Sequence, residues 1–217
     1  MTATAVPEGL PAREQTAELV GGDPRKERFY RAAVACVEHA GLAATSVEDV
    51  ARAAGSSRAT LYRVFPGGRD QLVTETVTFE VARFFGRIEA AVAHEPDLAS
   101  KLSTGLVVGH RAIDEHTLLQ RLLRTEPEAL LTELSTTEGL VRAAISGYLA
   151  SLLEAARTDG VVRADCDVPE AAEHLARLFL SFIGSPGRWD LDDPAAVDQL
   201  VRSQFLAGVL AGAPHAG

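Results

Sequence analysis

The stretch from Thr45 to Phe65, TSVEDVARAAGSSRATLYRVF, constrains this chain more than any other. Val47, Val50, Ala51 and Ala54 recur at helical spacing, and Gly55 then breaks the pattern. Ser56 or Ser57 stands where the N-cap of a following helix belongs, and Leu61 and Phe65 give that helix one inward stripe. Thr45 and Glu48 have the spacing of a capping box at the start of the first helix. An earlier helix is expected from Pro24 to about His39. Asp23 is its N-cap, Tyr30, Ala33, Val34 and Val37 form its apolar face, and Gly41 ends it. The three together make a helix-turn-helix unit, closed by Pro66-Gly67-Gly68.

The polar residues of this unit indicate what it touches. A DNA major groove admits one α-helix, whose N-terminal end meets base edges while its flanks meet phosphates. Arg58 opens the last helix, where a long donor reaches guanine O6 and N7. Ala59 permits close approach, and Thr60 offers a hydroxyl and a methyl. Tyr62 and Arg63 lie a turn further on, within reach of backbone phosphates. Thr45 and Ser46 sit at a helix N-terminus, where free N–H groups and the helix dipole favour an anion. Singly, the hydroxyls are ordinary caps and the arginines ordinary solvated charges. Their concurrence on one short helix after a glycine turn favours DNA.

Net charge is −9, which on its own argues against nucleic acid. From Pro24 to Gly68, however, seven Arg/Lys stand against four acids, so this segment carries +3 and the rest of the chain −12. A basic module on an acidic body binds phosphates locally and discourages indiscriminate association. Residues 1–23 read as a mobile arm, and with four acids and one basic residue, Arg13, a minor-groove role is not expected of it.

No apolar run approaches the ~18–20 residues that span a bilayer, and the first residues lack the basic and apolar regions of a secretory leader. Cys36 and Cys166 form no CxxC pair, which suits a reducing cytoplasm. From Asp70 long helical patterns take over. Val77, Val81, Phe84 and Ile88 mark one, and Leu102, Leu106, His110 and Ile113 another, over about 97–116. Short helices are expected at 118–124 and 128–134, a long one at about 138–158, and two more near 169–184 and 194–211. No segment alternates at period two. The expected fold is all-α, with about nine helices.

Arg25 to Gly41, then TSVEDVARAAG and SSRATLYRVFPGGRDQL, resemble the N-terminal domain of TetR/AcrR-family transcriptional regulators. The resemblance implies a homodimeric, all-helical, cytoplasmic repressor that binds an inverted repeat in double-stranded operator DNA. It implies a three-helix DNA-binding domain at 24–68 and a ligand-binding and dimerisation domain at 69–217. It places Thr45, Arg58, Thr60, Tyr62 and Arg63 at operator-contacting positions, with Ser46, Ser57 and Ala59 beside them. Arg69 takes the place of the family's basic residue at the start of the fourth helix, after an extended glycine turn, and Val64 replaces a usual His or Tyr.

An unidentified small-molecule effector is implied for the C-terminal domain. His110, Tyr148, Phe84 and Phe179 are the candidate lining residues. The dimer surface is expected on the last two helices, at Ala171, Leu175, Leu178, Phe182, Val197, Val201 and Phe205. The six histidines include no i, i+3 or i+4 pair, and no HExxH or CxxC occurs, so neither metal nor cofactor is expected. No nucleophile–base pair, phosphate loop or paired-carboxylate site points to an enzyme.

Overall fold

The computed structural model describes residues 23–210, and within them all the regular structure is helical. The expected arm at 1–23 lies outside the described residues except for Asp23. Its carboxylate accepts from the Arg25 amide at 2.9 Å and caps α1 (Pro24–Ala40). The helix-turn-helix follows as α2 (Val47–Ala53) and α3 (Arg58–Val64). The capping box of α2 forms one residue later than the spacing of Thr45 and Glu48 suggests. Ser46 is the N-cap and Asp49 its reciprocal partner. Thr45 instead donates its hydroxyl back to the Gly41 carbonyl. Gly55 joins the two helices at φ +59°, a left-handed conformation that a side chain would strain.

These helices close on a small aromatic core. Phe65 is fully buried, edge-on to Phe29 at 5.7 Å between ring centroids and tilted against Tyr30 at 5.9 Å. Leu61, on the turn before it, is equally buried, which fixes how α3 is rolled. Truncating Phe65 to Ala would cost about 3–5 kcal/mol.

Helix α4 (Gly68–Val92) belongs to both halves of the molecule. Leu72 and Phe79 complete the aromatic core, so the expected boundary at residue 69 falls inside a helix whose first turns pack with α1. The stripe of Val77, Val81, Phe84 and Ile88 is only half-buried, because it faces cavities rather than packed side chains. Beyond it come α5 (Leu98–Asp114), α6 (Thr117–Thr125), α7 (Pro127–Thr158), α8 (Val168–Gly184) and α9 (Pro194–Leu200).

Two boundaries differ from the sequence reading. The expected helices at 128–134 and 138–158 are one continuous α7. The Ser/Thr-rich stretch between them contains no proline, and the Thr132 and Ser135 hydroxyls bond back to carbonyls four residues earlier. Helix α9 is shorter than expected. It passes into a π turn at Val201–Phe205, and Gly208, at φ +78°, reverses the chain. Val162 and Leu210 then form an isolated antiparallel bridge.

The burial pattern also corrects part of the expected dimer surface. Leu175, Val197, Val201 and Phe205 are buried at 0–1 % exposure in the core of their own protomer. Phe205 packs edge-on against Phe179. The period-3.6 stripe located the inward face of these helices. Ala171, Leu178 and Phe182 remain half-exposed on the flank of α8, with His174 exposed beside them.

Candidate DNA-reading face and effector cavity

With Leu61 and Phe65 turned inward, the opposite side of α3 is open to solvent. Ser57, Arg58, Ala59, Tyr62 and Arg63 are exposed, Tyr62 to 38 % despite its size, and Thr60 is half-buried. Ser57 caps the helix by accepting from the Thr60 amide at 3.1 Å, and its hydroxyl also meets the Thr60 Oγ1 at 3.0 Å. The Arg63 guanidinium donates to that same Oγ1 at 3.4 Å. The Arg58 guanidinium lies over the Tyr62 ring, 5.3 Å from its centroid, and pairs with Glu48 of α2. Sequence reasoning missed this pairing, because α2 and α3 meet only after the Gly55 turn. The arrangement holds the arginine outward at the N-terminal end of α3 and places one carboxylate in competition for it.

Around this face the basic residues differ in availability. Among the described residues, Arg31 pairs with Glu27, Arg52 with Asp49 and Lys26 with Glu75. Arg25, Arg28 and Arg63 are exposed with no ion pair among those residues. Arg69 behaves differently from expectation. Its side chain is half-buried and donates to the Leu42 carbonyl at 2.9 Å and the Thr45 carbonyl at 3.4 Å. A guanidinium directed at backbone carbonyls ties α4 to the α1–α2 turn, instead of projecting toward a phosphate. Thr45 and Ser46 are likewise half-buried and engaged in local hydrogen bonds.

A carboxylate braces the unit from within. Glu75 of α4 accepts from Tyr30 Oη at 2.6 Å, Gln71 Nε2 at 2.7 Å and Lys26 Nζ at 2.8 Å. Burial pushes the Glu75 carboxyl up, but the hydrogen bonds from Lys26, Tyr30 and Gln71 outweigh it and hold the group below the usual carboxylate range. Burial, reinforced by Glu75, drives the Tyr30 phenol well above its ordinary value, so it remains a donor.

The C-terminal half reaches back to the same α1–α2 turn. Glu126, between α6 and α7, accepts from the Ala43 amide at 2.7 Å and the Leu42 amide at 3.1 Å. Arg121 of α6 donates to the carbonyls of Val37, at 2.6 Å, and Glu38, where α1 ends. Leu42 packs with Leu122 and Leu130 between these polar ties. Neither Glu126 nor Arg121 carries a local sequence signal for this role.

Two cavities share the wall formed by Val81, Phe85, Val141 and Ile183. The smaller, about 80 Å³, lies among α4, α5, α7 and α8 and is lined by Tyr148 and Phe179. The larger, about 380 Å³, lies between the helix-turn-helix unit and α4, α6, α7 and α8, with Phe84 in its wall. His110 lines neither. Its Nδ1 lies 3.0 Å from the Ile183 carbonyl, a bond that ties α5 to the end of α8. Among the described residues no group of His, Cys, Asp and Glu could hold a metal ion, and no helix is long and apolar enough to cross a membrane.

Residues 29–76 match the family described as bacterial regulatory proteins, tetR family. The chain is 28% identical over 205 residues to the HTH-type transcriptional repressor KstR2 of Rhodococcus jostii (strain RHA1), covering 90% of this chain and 95% of that protein. An uncharacterized HTH-type transcriptional regulator of Mycobacterium tuberculosis (strain CDC 1551 / Oshkosh) is 26% identical over 159 residues, 73% of this chain and 74% of that one. Among solved structures, the fatty acid degradation regulator FadR of Bacillus halodurans superposes with a TM-score of 0.56 at 20% identity, over 83% of this chain and 95% of that one. The Thermus thermophilus FadR in complex with lauroyl-CoA gives 0.55 at 22%, over 88% and 99%. The two superpositions show that the fold is shared.

Proposed function

We propose that this chain is a bacterial regulatory protein of the TetR family, a sequence-specific repressor that leaves its operator when a small molecule occupies the C-terminal domain. The observation that carries the reading is the exposed face of α3. Arg58, Ala59, Thr60, Tyr62 and Arg63 lie together on a helix whose other face is anchored by Leu61 and Phe65. Arg58, at the N-terminal end, reads a base edge. Tyr62 and Arg63 engage the phosphates that flank it, joined by Arg25 and Arg28 from α1. Two such helices in a homodimer meet half-sites about 34 Å apart, or a multiple of that spacing, which requires an inverted repeat.

The dimer surface we assign is the outward flank of α8, at Ala171, Leu178 and Phe182, with His174 between them. The reading gives the chain no catalytic step and places it in the cytoplasm with its DNA. Release requires only that the ligand bind more tightly to a protomer arrangement that does not span both grooves. The test is selection of bound duplexes from a random library at physiological salt. An enriched inverted repeat is expected from the wild type and none from Arg58→Ala. Binding without enrichment, declining steeply with salt, would replace specific reading with general phosphate attraction.

A further inference from the structure

We propose that the effector occupies the cavity between the helix-turn-helix unit and the C-terminal helices, that it is an uncharged, largely apolar molecule, and that it touches α1 and α2 directly. The inference rests on the proposed ligand control and specifies its site and chemistry. Size makes the first distinction. A dry cavity of roughly 150 Å³ is enough for benzene. The smaller cavity, at about 80 Å³, falls short of that, whereas the junction cavity, at about 380 Å³, is in the range that holds small ligands.

The polar atoms of its wall make the second. Six polar side chains line the junction cavity, and each has a partner within the protein. Arg69 is directed at the Leu42 and Thr45 carbonyls. Thr45 donates to Gly41 and Thr76 to Leu72, each at 2.7 Å. Ser46 is held in the capping box with Asp49, and Glu80 pairs with Arg83 at 3.0 Å. His116 accepts the Leu119 amide at Nδ1, 3.2 Å away, and so caps α6. With Nδ1 accepting, the ring's other nitrogen, Nε2, is left to meet a ligand oxygen. A cation would find only Glu80, already paired with Arg83, and an anion only the half-buried Arg69 guanidinium, already directed at two backbone carbonyls, so either gives up its hydration against an almost wholly apolar wall. The rest of the wall is aliphatic and aromatic: Val34 and Val37 of α1, Val47 of α2, Val73 and Phe84 of α4, Leu119 of α6.

The location supplies the consequence. The cavity floor is the α1–α2 turn, which Arg69, Arg121 and Glu126 grip from the C-terminal side. A molecule seated there shares its contacts between the helices that hold the reading helix and those that hold the dimer flank, so its occupancy and operator affinity are linked.

The experiment uses two fluorophores with the same ring system, neutral N-phenyl-1-naphthylamine and anionic 8-anilino-1-naphthalenesulfonate, titrated into the full chain without DNA. The neutral probe is expected to bind saturably, one per protomer, at least tenfold more tightly than the sulfonate. Val73→Trp, which fills the junction cavity, is expected to abolish that binding, and Ala144→Trp, in the wall of the smaller cavity alone, to leave it within twofold. Circular dichroism establishes that each variant is folded. Methyl spectra of the wild type give the location without substitution, with shifts expected at Val34, Val37 and Val73. Equal or tighter binding of the sulfonate, unchanged binding by folded Val73→Trp, or methyl shifts confined to Ala144, Ile145 and Leu149 would overturn the proposal. These outcomes need no operator, so failure to find an inverted repeat would refute the DNA reading alone.

Discussion

Arg58 illustrates how one residue is set by its neighbours. The Tyr62 ring beneath it and the Glu48 carboxylate beside it pre-order a side chain that would otherwise lose rotamer freedom on meeting DNA. The same carboxylate sits near incoming phosphates, so Glu48→Gln is expected to tighten operator binding several-fold. Titration of the wild type and variant by fluorescence anisotropy checks this, and weaker binding would mean that Glu48 mainly positions the arginine. Glu75 acts on stability instead. Its carboxyl is held below its unfolded value, so its contribution is complete above the ordinary carboxylate range and is lost as pH falls through the lower, folded value. Glu75→Gln is expected to cost roughly 1–3 kcal/mol at neutral pH. It should also flatten the acid limb of the stability profile, as followed by denaturant melts between pH 7 and pH 3. The outward residues of α3 were legible because the helix is short and its inward positions are unmistakable. Arg69 was not, since nothing within its own helix shows that its guanidinium folds back onto carbonyls up to 27 residues away.

At the scale of elements, the α1–α2 turn joins the two halves. Arg121 and Glu126 hold it from residues more than 80 positions away, and local periodicity carries no trace of such contacts. Glu126 accepts two amide hydrogen bonds and Arg121 donates two to carbonyls, so both ties are charge-assisted. Glu126→Ala is expected to lower stability by about 1–3 kcal/mol. It should also reduce the drop in operator affinity produced by the neutral naphthyl probe, with anisotropy measured in the presence and absence of probe as the check. An undiminished drop would place the coupling elsewhere. The continuous α7 and the shortened α9 have a common lesson. Residues with weak helix propensity do not end a helix that tertiary packing supports, and an apolar repeat such as Val197, Val201, Phe205 does not guarantee an α-helix throughout.

The whole molecule is an acidic body that carries a basic, exposed helix, and in the proposed function specific binding depends on presenting two such helices together. The all-helical class was legible from capping residues and stripe periodicity. Of the residues expected at a dimer surface, only Ala171, Leu178 and Phe182 are left outside the protomer core. The strongest apolar positions of α8 and α9 fill the protomer core, and the half-exposed flank proposed for the partner is not separated from them by a hydrophobic pattern alone. Leu178→Glu is expected to give monomers in sedimentation velocity and to weaken binding to an inverted repeat far more than to a single half-site. The most direct measurement compares wild type and Arg58→Ala on the selected repeat and on a scrambled duplex of equal length at physiological salt. A guanidinium that reads a base contributes about 1–3 kcal/mol of discrimination at each half-site. The variant should therefore lose at least tenfold on the repeat and change little on the scrambled duplex. Equal losses on both duplexes, or none on either by a folded variant, would contradict the assignment of α3 as the helix that reads sequence.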